Sequence, residues 1–132
     1  MNKLKGMIIM LIISLSLFSF CGCESKESLP SYEQITADQA KNIMETEKDY
    51  IIVDARTPEE FKEGHIPNSI NIDYEETKEK SADFLPDKNQ LILIYCRSGR
   101  RSKIAAETLV SLGYTNIKEF GGIIDWPYDI VK

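Results

Sequence analysis

Leu91-Ile92-Leu93-Ile94-Tyr95 places five apolar residues in a row, and Cys96-Arg97-Ser98-Gly99-Arg100-Arg101-Ser102 follows without a break. An uninterrupted apolar run of this length reads as a strand inside a sheet. Lys103 to Leu112 then carries Ile104, Ala105, Leu109 and Leu112 on one helical face, and Gly113 stops it. Strand, tight loop and helix leave the thiol of Cys96 at the bottom of a short loop. The first N–H groups of a helix have no partner inside it, and the helix dipole adds partial positive charge there. N–H groups of the loop and first turn can therefore point at the sulfur, with Arg97, Arg100 and Arg101 close by in sequence. Such a setting favours a thiolate and an anion bound beside it.

The rest of the chain repeats the alternation of strand and helix. Thr36-Ala37-Asp38-Gln39 has the form of a capping box, and Ala40, Ile43 and Met44 continue a helical stripe to about Glu47. Tyr50-Ile51-Ile52-Val53 reads as a strand buried on both faces. Asp54-Ala55-Arg56 ends it, and Thr57 as cap with Pro58 at the first helical position starts a short helix that Gly64 closes. His65-Ile66-Pro67-Asn68 is a turn, Ser69 to Ile72 a short strand, and Tyr74 to Phe84 a helix ended by Leu85-Pro86-Asp87. Asn116 to Phe120 is a last strand before Gly121-Gly122 and Ile123 to Trp126. The pattern predicts one α/β domain over residues 35–132, a mainly parallel sheet with helices on both faces.

The amino terminus is of another kind. Lys3 and Lys5 precede an apolar run from Gly6 to Phe20, then Cys21-Gly22-Cys23 and a switch to polar residues. That is the layout of a signal peptide over 1–22, and the run is shorter than the ~20 residues a spanning helix needs. Phe20-Cys21-Gly22-Cys23 resembles the lipobox of bacterial lipoproteins, with Gly22 before the cleavage point and Cys23 taking the lipid; Phe20 and Cys21 depart from the usual pattern. Residues 23–34 then read as a polar tether, and the expected location is extracytoplasmic, lipid-anchored to a bacterial membrane. The net charge is −5, and loss of 1–22, which holds two lysines and no acid, takes it to −7. So acidic a body is a poor partner for nucleic acid, which is bound through Lys and Arg on phosphates.

Several separated motifs converge on one family. Asp54-Ala55-Arg56, Glu60-Phe61, Gly64-His65-Ile66-Pro67, Asn71-Ile72, the Cys96 loop, Gly121-Gly122 and Trp126 together resemble a single rhodanese domain. The resemblance implies a doubly wound α/β fold with the active-site loop at the carboxyl end of a central strand. It implies Cys96 as the catalytic nucleophile, which takes sulfur from an anionic donor such as thiosulfate as a persulfide and passes it to a thiol or other thiophilic acceptor. Arg97, Ser98, Gly99, Arg100, Arg101 and Ser102 become the substrate-binding cradle. Arg101 is the favoured side-chain contributor, Ser98 and Gly99 shape the loop, and Ser102 is a candidate helix cap. Asp54 and Arg56 read as scaffold beside the site, with Glu60 as an expected partner of Arg56. His65, the only histidine, reads as structural. No cofactor or metal is expected, and no protein partner is indicated.

Two rivals are weighed. Cysteine phosphatases use Cys, five residues, then Arg; here Arg101 falls one place early and Ser102 stands at the arginine position. The shorter loop suits a sulfur atom better than a tetrahedral phosphate. The other rival is a tethered persulfide carrier or polysulfide sensor without significant turnover. Apart from Cys21 and Cys23, Cys96 is the only cysteine, so neither a disulfide within the body nor a dithiol relay is available.

Overall fold

The computed structural model describes residues 31–132; the expected signal peptide, the expected lipid site Cys23 and the expected tether as far as residue 30 lie outside the described residues. Five strands form one sheet: β1 (Glu33–Gln34), β2 (Tyr50–Asp54), β3 (Ser69–Asn71), β4 (Leu91–Cys96) and β5 (Ile117–Gly122). Their order is β1-β5-β4-β2-β3, and every pairing between them is parallel. The helices are α1 (Ala37–Thr46), α2 (Pro58–Glu63), α3 (Thr77–Phe84) and α4 (Arg100–Ser111). Tyr74–Glu76 and Ile123–Asp125 are single 3-10 turns.

Two cores lie back to back across the sheet, as a doubly wound arrangement requires. Val53, Ile92, Ile94, Cys96 and Ile117 point toward Ala105, Ala106 and Leu109 of α4. Ile52, Leu93, Tyr95 and Phe120 point the other way, toward Ala40 of α1 and Trp126. Alternate residues of β4 thus serve opposite cores, which is why its sequence is apolar throughout. Tyr95 fits because its hydroxyl is used: it accepts the Ile66 N–H at 3.0 Å and lies 3.1 Å from Ser69 Oγ.

The expected capping box of Thr36 with Gln39 forms, Thr57 caps α2 as expected, and Glu60 closes a second box with it, so α1 and α2 start where their side chains dictate. Three boundaries differ from the sequence reading. Glu33 and Gln34, read as the end of the tether, pair with Lys118 and Glu119 as the sheet's edge strand. Their polar side chains hide this, because the pairing is made by the backbone. Helix α4 begins at Arg100, ahead of Lys103, with Gly99 at its cap in the left-handed region (φ 107°) and no side-chain cap bond. Ser102 is therefore not the cap but lies inside the first turn. Strand β5 continues through Gly121 and Gly122, bringing Gly122 opposite Cys96.

The chain moves outward from β2 to β3, then crosses back to lay β4 on the other side of β2. The carboxyl ends of β2 and β4 flank that reversal, where open α/β sheets leave a crevice. Asp54 and Cys96 are the last residues of those two strands.

Candidate active site

Cys96 is 1 % exposed, and its sulfur faces the amino end of α4. The Gly99 N–H donates to Sγ at 3.0 Å, and Ser102 Oγ lies 3.3 Å from it. Burial alone would push the thiol pKa up. Hydrogen bonds from the Ser102 hydroxyl and from the backbone N–H groups of Ser102, Gly99 and Ser98 outweigh burial and leave it below the ordinary thiol value. A lowered thiol pKa at a helix amino end is the setting of a nucleophilic cysteine.

The left-handed backbone of Gly99 turns its N–H back onto the sulfur, which a residue with a Cβ would do only under strain. Strand β5 closes the floor of the loop. The Ile124 N–H donates to the Arg97 carbonyl at 3.2 Å, and Gly122 lies so close below that a Cβ there would be 2.0 Å from Arg97 O.

The three arginines behave differently from one another. Arg101 is held by a two-pronged pair with Glu60, Nη1 to Oε2 at 2.7 Å and Nη2 to Oε1 at 2.8 Å. The Arg100 guanidinium lies 5.8 Å from the centre of the Tyr74 ring, over its face, and Arg97 is exposed. Ser98 is exposed and Gly99 buried. The structure thus gathers Cys96, Gly99 and Ser102 directly at the sulfur and sets the arginines around the rim.

Asp54 and Arg56 are joined to each other. Arg56 Nε lies 3.0 and 3.1 Å from the two Asp54 oxygens, and Nη2 donates to Oδ2 at 2.7 Å and to the Gly64 carbonyl at 2.6 Å. The expected pairing of Arg56 with Glu60 is corrected: Glu60 belongs to Arg101, because α2 lays its carboxylate against the first turn of α4. His65 stacks on Phe61 with ring centres 3.8 Å apart, and its Nδ1 lies 2.9 Å from the Phe61 carbonyl.

Arg101 draws the Glu60 carboxyl down from its ordinary 4.5 to about 2, with Thr57 assisting against the opposing effect of burial. A carboxylate with a depressed pKa in the folded state contributes stability above its unfolded value, lost as pH falls through the folded one. Stability should therefore drop between about pH 4.5 and 2, and Glu60→Gln should flatten that part of the profile. Urea unfolding at a series of pH values reads this directly; equal slopes for both proteins would show that the pair contributes nothing.

Sequence reasoning passed over Glu119. It sits in β5 on the α4 side, is 2 % exposed, and its Oε1 accepts from Ser102 Oγ at 2.6 Å and from the Gly121 N–H at 2.8 Å. The signal was present: an acid between Ile117 and Phe120, in a strand otherwise built for burial.

The comparisons with known proteins agree with this geometry. The family described as the rhodanese-like domain matches residues 36–127. The thiosulfate sulfurtransferase PspE of Escherichia coli is 41 % identical over 80 residues, covering 61 % of this chain and 77 % of that protein. A putative sulfur carrier protein of Bacillus subtilis, YrkF, is 31 % identical over 106 residues; the match covers 80 % of this chain but 56 % of that protein. Among solved structures, a rhodanese with anions from E. coli superposes with a TM-score of 0.59 at 38 % identity, covering 63 % of this chain and 98 % of that one. A rhodanese-related protein from Thermoplasma volcanium gives 0.65 at 33 %, covering 76 % and 98 %. A buried cysteine under a glycine-turned loop, the parallel sheet that carries it, and a match over residues 36–127 lead to one assignment: the chain belongs to the rhodanese-like domain family.

Proposed function

We propose that this protein is an extracytoplasmic, lipid-anchored sulfurtransferase that moves sulfane sulfur from thiosulfate or polysulfide to a thiophilic acceptor through a persulfide on Cys96. The observation that carries the reading is the sulfur itself: buried, at the amino end of α4, and met by the Gly99 N–H at 3.0 Å and the Ser102 hydroxyl at 3.3 Å.

The Cys96 thiolate attacks the outer sulfur of thiosulfate. An S–S bond forms as the donor's S–S bond breaks, and sulfite leaves with the electron pair. The acceptor then attacks the terminal sulfur, and the Cys96 thiolate leaves, ready for another donor. One difficult displacement becomes two easier ones. N–H groups already aimed at the sulfur need no reorganisation as charge moves onto and off it. The arginine rim supplies positive charge for the anionic donor and for departing sulfite on an otherwise acidic body. Relatives at this level of identity include a thiosulfate sulfurtransferase, which supports the choice of donor.

The likeness to a putative sulfur carrier protein favours a second reading, in which the persulfide is handed to one partner and turnover with small acceptors is slow. The anchored location rests on Cys23 and the apolar run before it.

Mass spectrometry after incubation with thiosulfate or polysulfide tests the chemistry. The expected result is a gain of one sulfur on Cys96, absent in Cys96→Ala; no gain with either donor rejects transferase and carrier together. Turnover with cyanide or a small thiol separates those two. Hydrolysis of p-nitrophenyl phosphate without thiocyanate formation would return the phosphatase reading. The same spectra, taken on protein from membranes of a lipoprotein-processing bacterial host, read the other end of the chain: an unmodified Cys23 there would remove the anchor.

A further inference from the structure

We propose that Glu119 is the proton acceptor of the site and exchanges one proton with Cys96 through the hydroxyl of Ser102. The proposal rests on Cys96 being the sulfur-carrying nucleophile and adds the residue that takes its proton.

The geometry is a chain of three side chains from three elements: Cys96 at the end of β4, Ser102 in the first turn of α4 and Glu119 in β5. Ser102 Oγ is 3.3 Å from Cys96 Sγ and 2.6 Å from Glu119 Oε1, and all three residues are buried. It also lies 3.0 Å from the Gly99 carbonyl and 3.4 Å from that of Gly121. A hydroxyl has one proton to give and lone pairs with which to accept. The shortest of these contacts is to the carboxylate. With its proton directed there, Ser102 can only accept at the sulfur, which suits a thiol. For Ser102 to donate to a thiolate, its proton must turn away from Glu119, and the carboxyl must then carry a proton of its own to donate back to Oγ.

If both acids were ionised, two buried anions would compete for one hydroxyl proton and one helix amino end. The sulfur would keep the backbone N–H groups of the loop, with Gly99 at 3.0 Å, but the carboxylate would keep only that of Gly121. Low-dielectric surroundings make such a pair costly. One shared proton removes the conflict. The S–H bond breaks as a proton reaches Ser102 Oγ, and the hydroxyl's own proton passes to Glu119 Oε1. Thiol plus carboxylate becomes thiolate plus carboxylic acid, and the site keeps a single negative charge. Sulfite departs without needing that proton, so it stays on Glu119 while the persulfide forms and while the acceptor regenerates the thiolate.

The surrounding charges form a steady background. Arg101 acts on the sulfur from the first turn of α4, while Arg97 is exposed and Arg100 lies over the Tyr74 ring. Glu60 faces Arg101 from α2 and is ionised throughout, with its pKa at about 2. Asp73 acts on Arg101 from ahead of the 3-10 turn, and the Asp54–Arg56 pair closes the β2 side. Beside Glu119, β1 presents neutral Gln34 and β4 presents Ile94. Next to it in sequence, Lys118 is paired with Glu33.

The test follows thiolate formation against pH by ultraviolet absorbance and by the rate of iodoacetamide alkylation. In the native protein thiolate should appear in two steps more than about one pH unit apart, as two coupled acids share their protons. In Glu119→Gln, which keeps an oxygen acceptor for Ser102 but cannot take a proton, it should appear in one. A single step in the native protein with no protonated Glu119 carboxyl above it in the infrared spectrum overturns the proposal, and so do two steps that persist in Glu119→Gln. Should that variant fail to fold, the infrared spectrum of the native protein decides. A carbonyl band of a buried carboxylic acid on the plateau between the steps supports the relay, and its absence overturns it. Persulfide formation on Cys96, read by mass, is independent of these readouts, so failure of the relay and failure of sulfur transfer are told apart.

Discussion

Gly122→Ala should fold into a protein whose cysteine no longer behaves as a nucleophile. A Cβ at Gly122 would stand 2.0 Å from the Arg97 carbonyl oxygen, 2.4 Å from its carbon and 2.5 Å from Ser98 Cα. All three are backbone atoms, so no side chain can swing aside. Either β5 or the loop must move, and the loop is the less constrained, being held below by one N–H from Ile124. Lifting it carries the Gly99 N–H away from the sulfur it meets at 3.0 Å. Overpacking of this kind typically costs about 1–3 kcal/mol of stability. The larger effect falls on the thiol, because burial then acts without its opposing hydrogen bonds and raises the pKa. Iodoacetamide alkylation at neutral pH and persulfide formation should each fall by roughly 10- to 100-fold, about a tenfold change for each 1.4 kcal/mol. Gly121→Ala is the control. Its added Cβ meets nothing within 4 Å, and only the left-handed backbone (φ 87°) resists it. If Gly122→Ala alkylates at the native rate, the floor of the loop does not set the sulfur's environment.

The second large effect is on the fold. Arg56→Ala should unfold at a markedly lower temperature although the residue makes no bond to Cys96. Asp54 is wholly buried and Arg56 is 6 % exposed, so removing the guanidinium strands a carboxylate at the carboxyl end of β2. Breaking a buried pair from one side costs about 3–5 kcal/mol. For a domain near 100 residues that is a fall in Tm of more than roughly 12 °C. The Gly64 carbonyl, which accepts from Nη2 at 2.6 Å, loses its donor as well. Arg56→Lys should recover only part of the loss, since an ammonium cannot span both oxygens and the carbonyl in one plane. The double change Asp54→Leu with Arg56→Met should be less damaging than Arg56→Ala alone, because no buried charge is left over. Thermal unfolding by circular dichroism measures all three; a drop of only a few degrees in Arg56→Ala would mean that water reaches Asp54.

What could be read from the chain, and what could not, divides by range. The capping box at Thr36 and the cap at Thr57 are local, and both stand as read; the box that Glu60 closes with Thr57 is a further local contact. The apolar run of β4 and the glycine turn after it are also local, and they suffice to place Cys96 at the end of a strand and ahead of a helix. Ion pairing is not local. Arg56 and Glu60 look like partners across four positions, but the end of β2 aims Asp54 at Arg56, and Glu60 finds Arg101 forty-one residues away. Ser102 looked like a cap because serine favours that place. The helix starts three residues earlier because Gly99 supplies the turn, which frees the hydroxyl for the sulfur and Glu119. Edge strand β1 carried no signal, since two polar residues paired through their backbone look like linker.

The burial of Cys96 also decides which of two sulfurs an acceptor can reach. A persulfide is a disulfide in miniature, and a thiol can attack either atom. Attack on the outer sulfur transfers it and frees Cys96. Attack on the inner one expels hydrosulfide and leaves the acceptor bound to Cys96 as a mixed disulfide, with no second cysteine among the described residues to release it. An added sulfur would take the side from which Sγ itself attacks, and displacement at the inner sulfur would have to come from the opposite side, in line with the S–S bond, where a residue only 1 % exposed is backed by protein. On the proposed mechanism, the fold that activates the thiolate also guards it from a dead end that no second cysteine among the described residues could relieve.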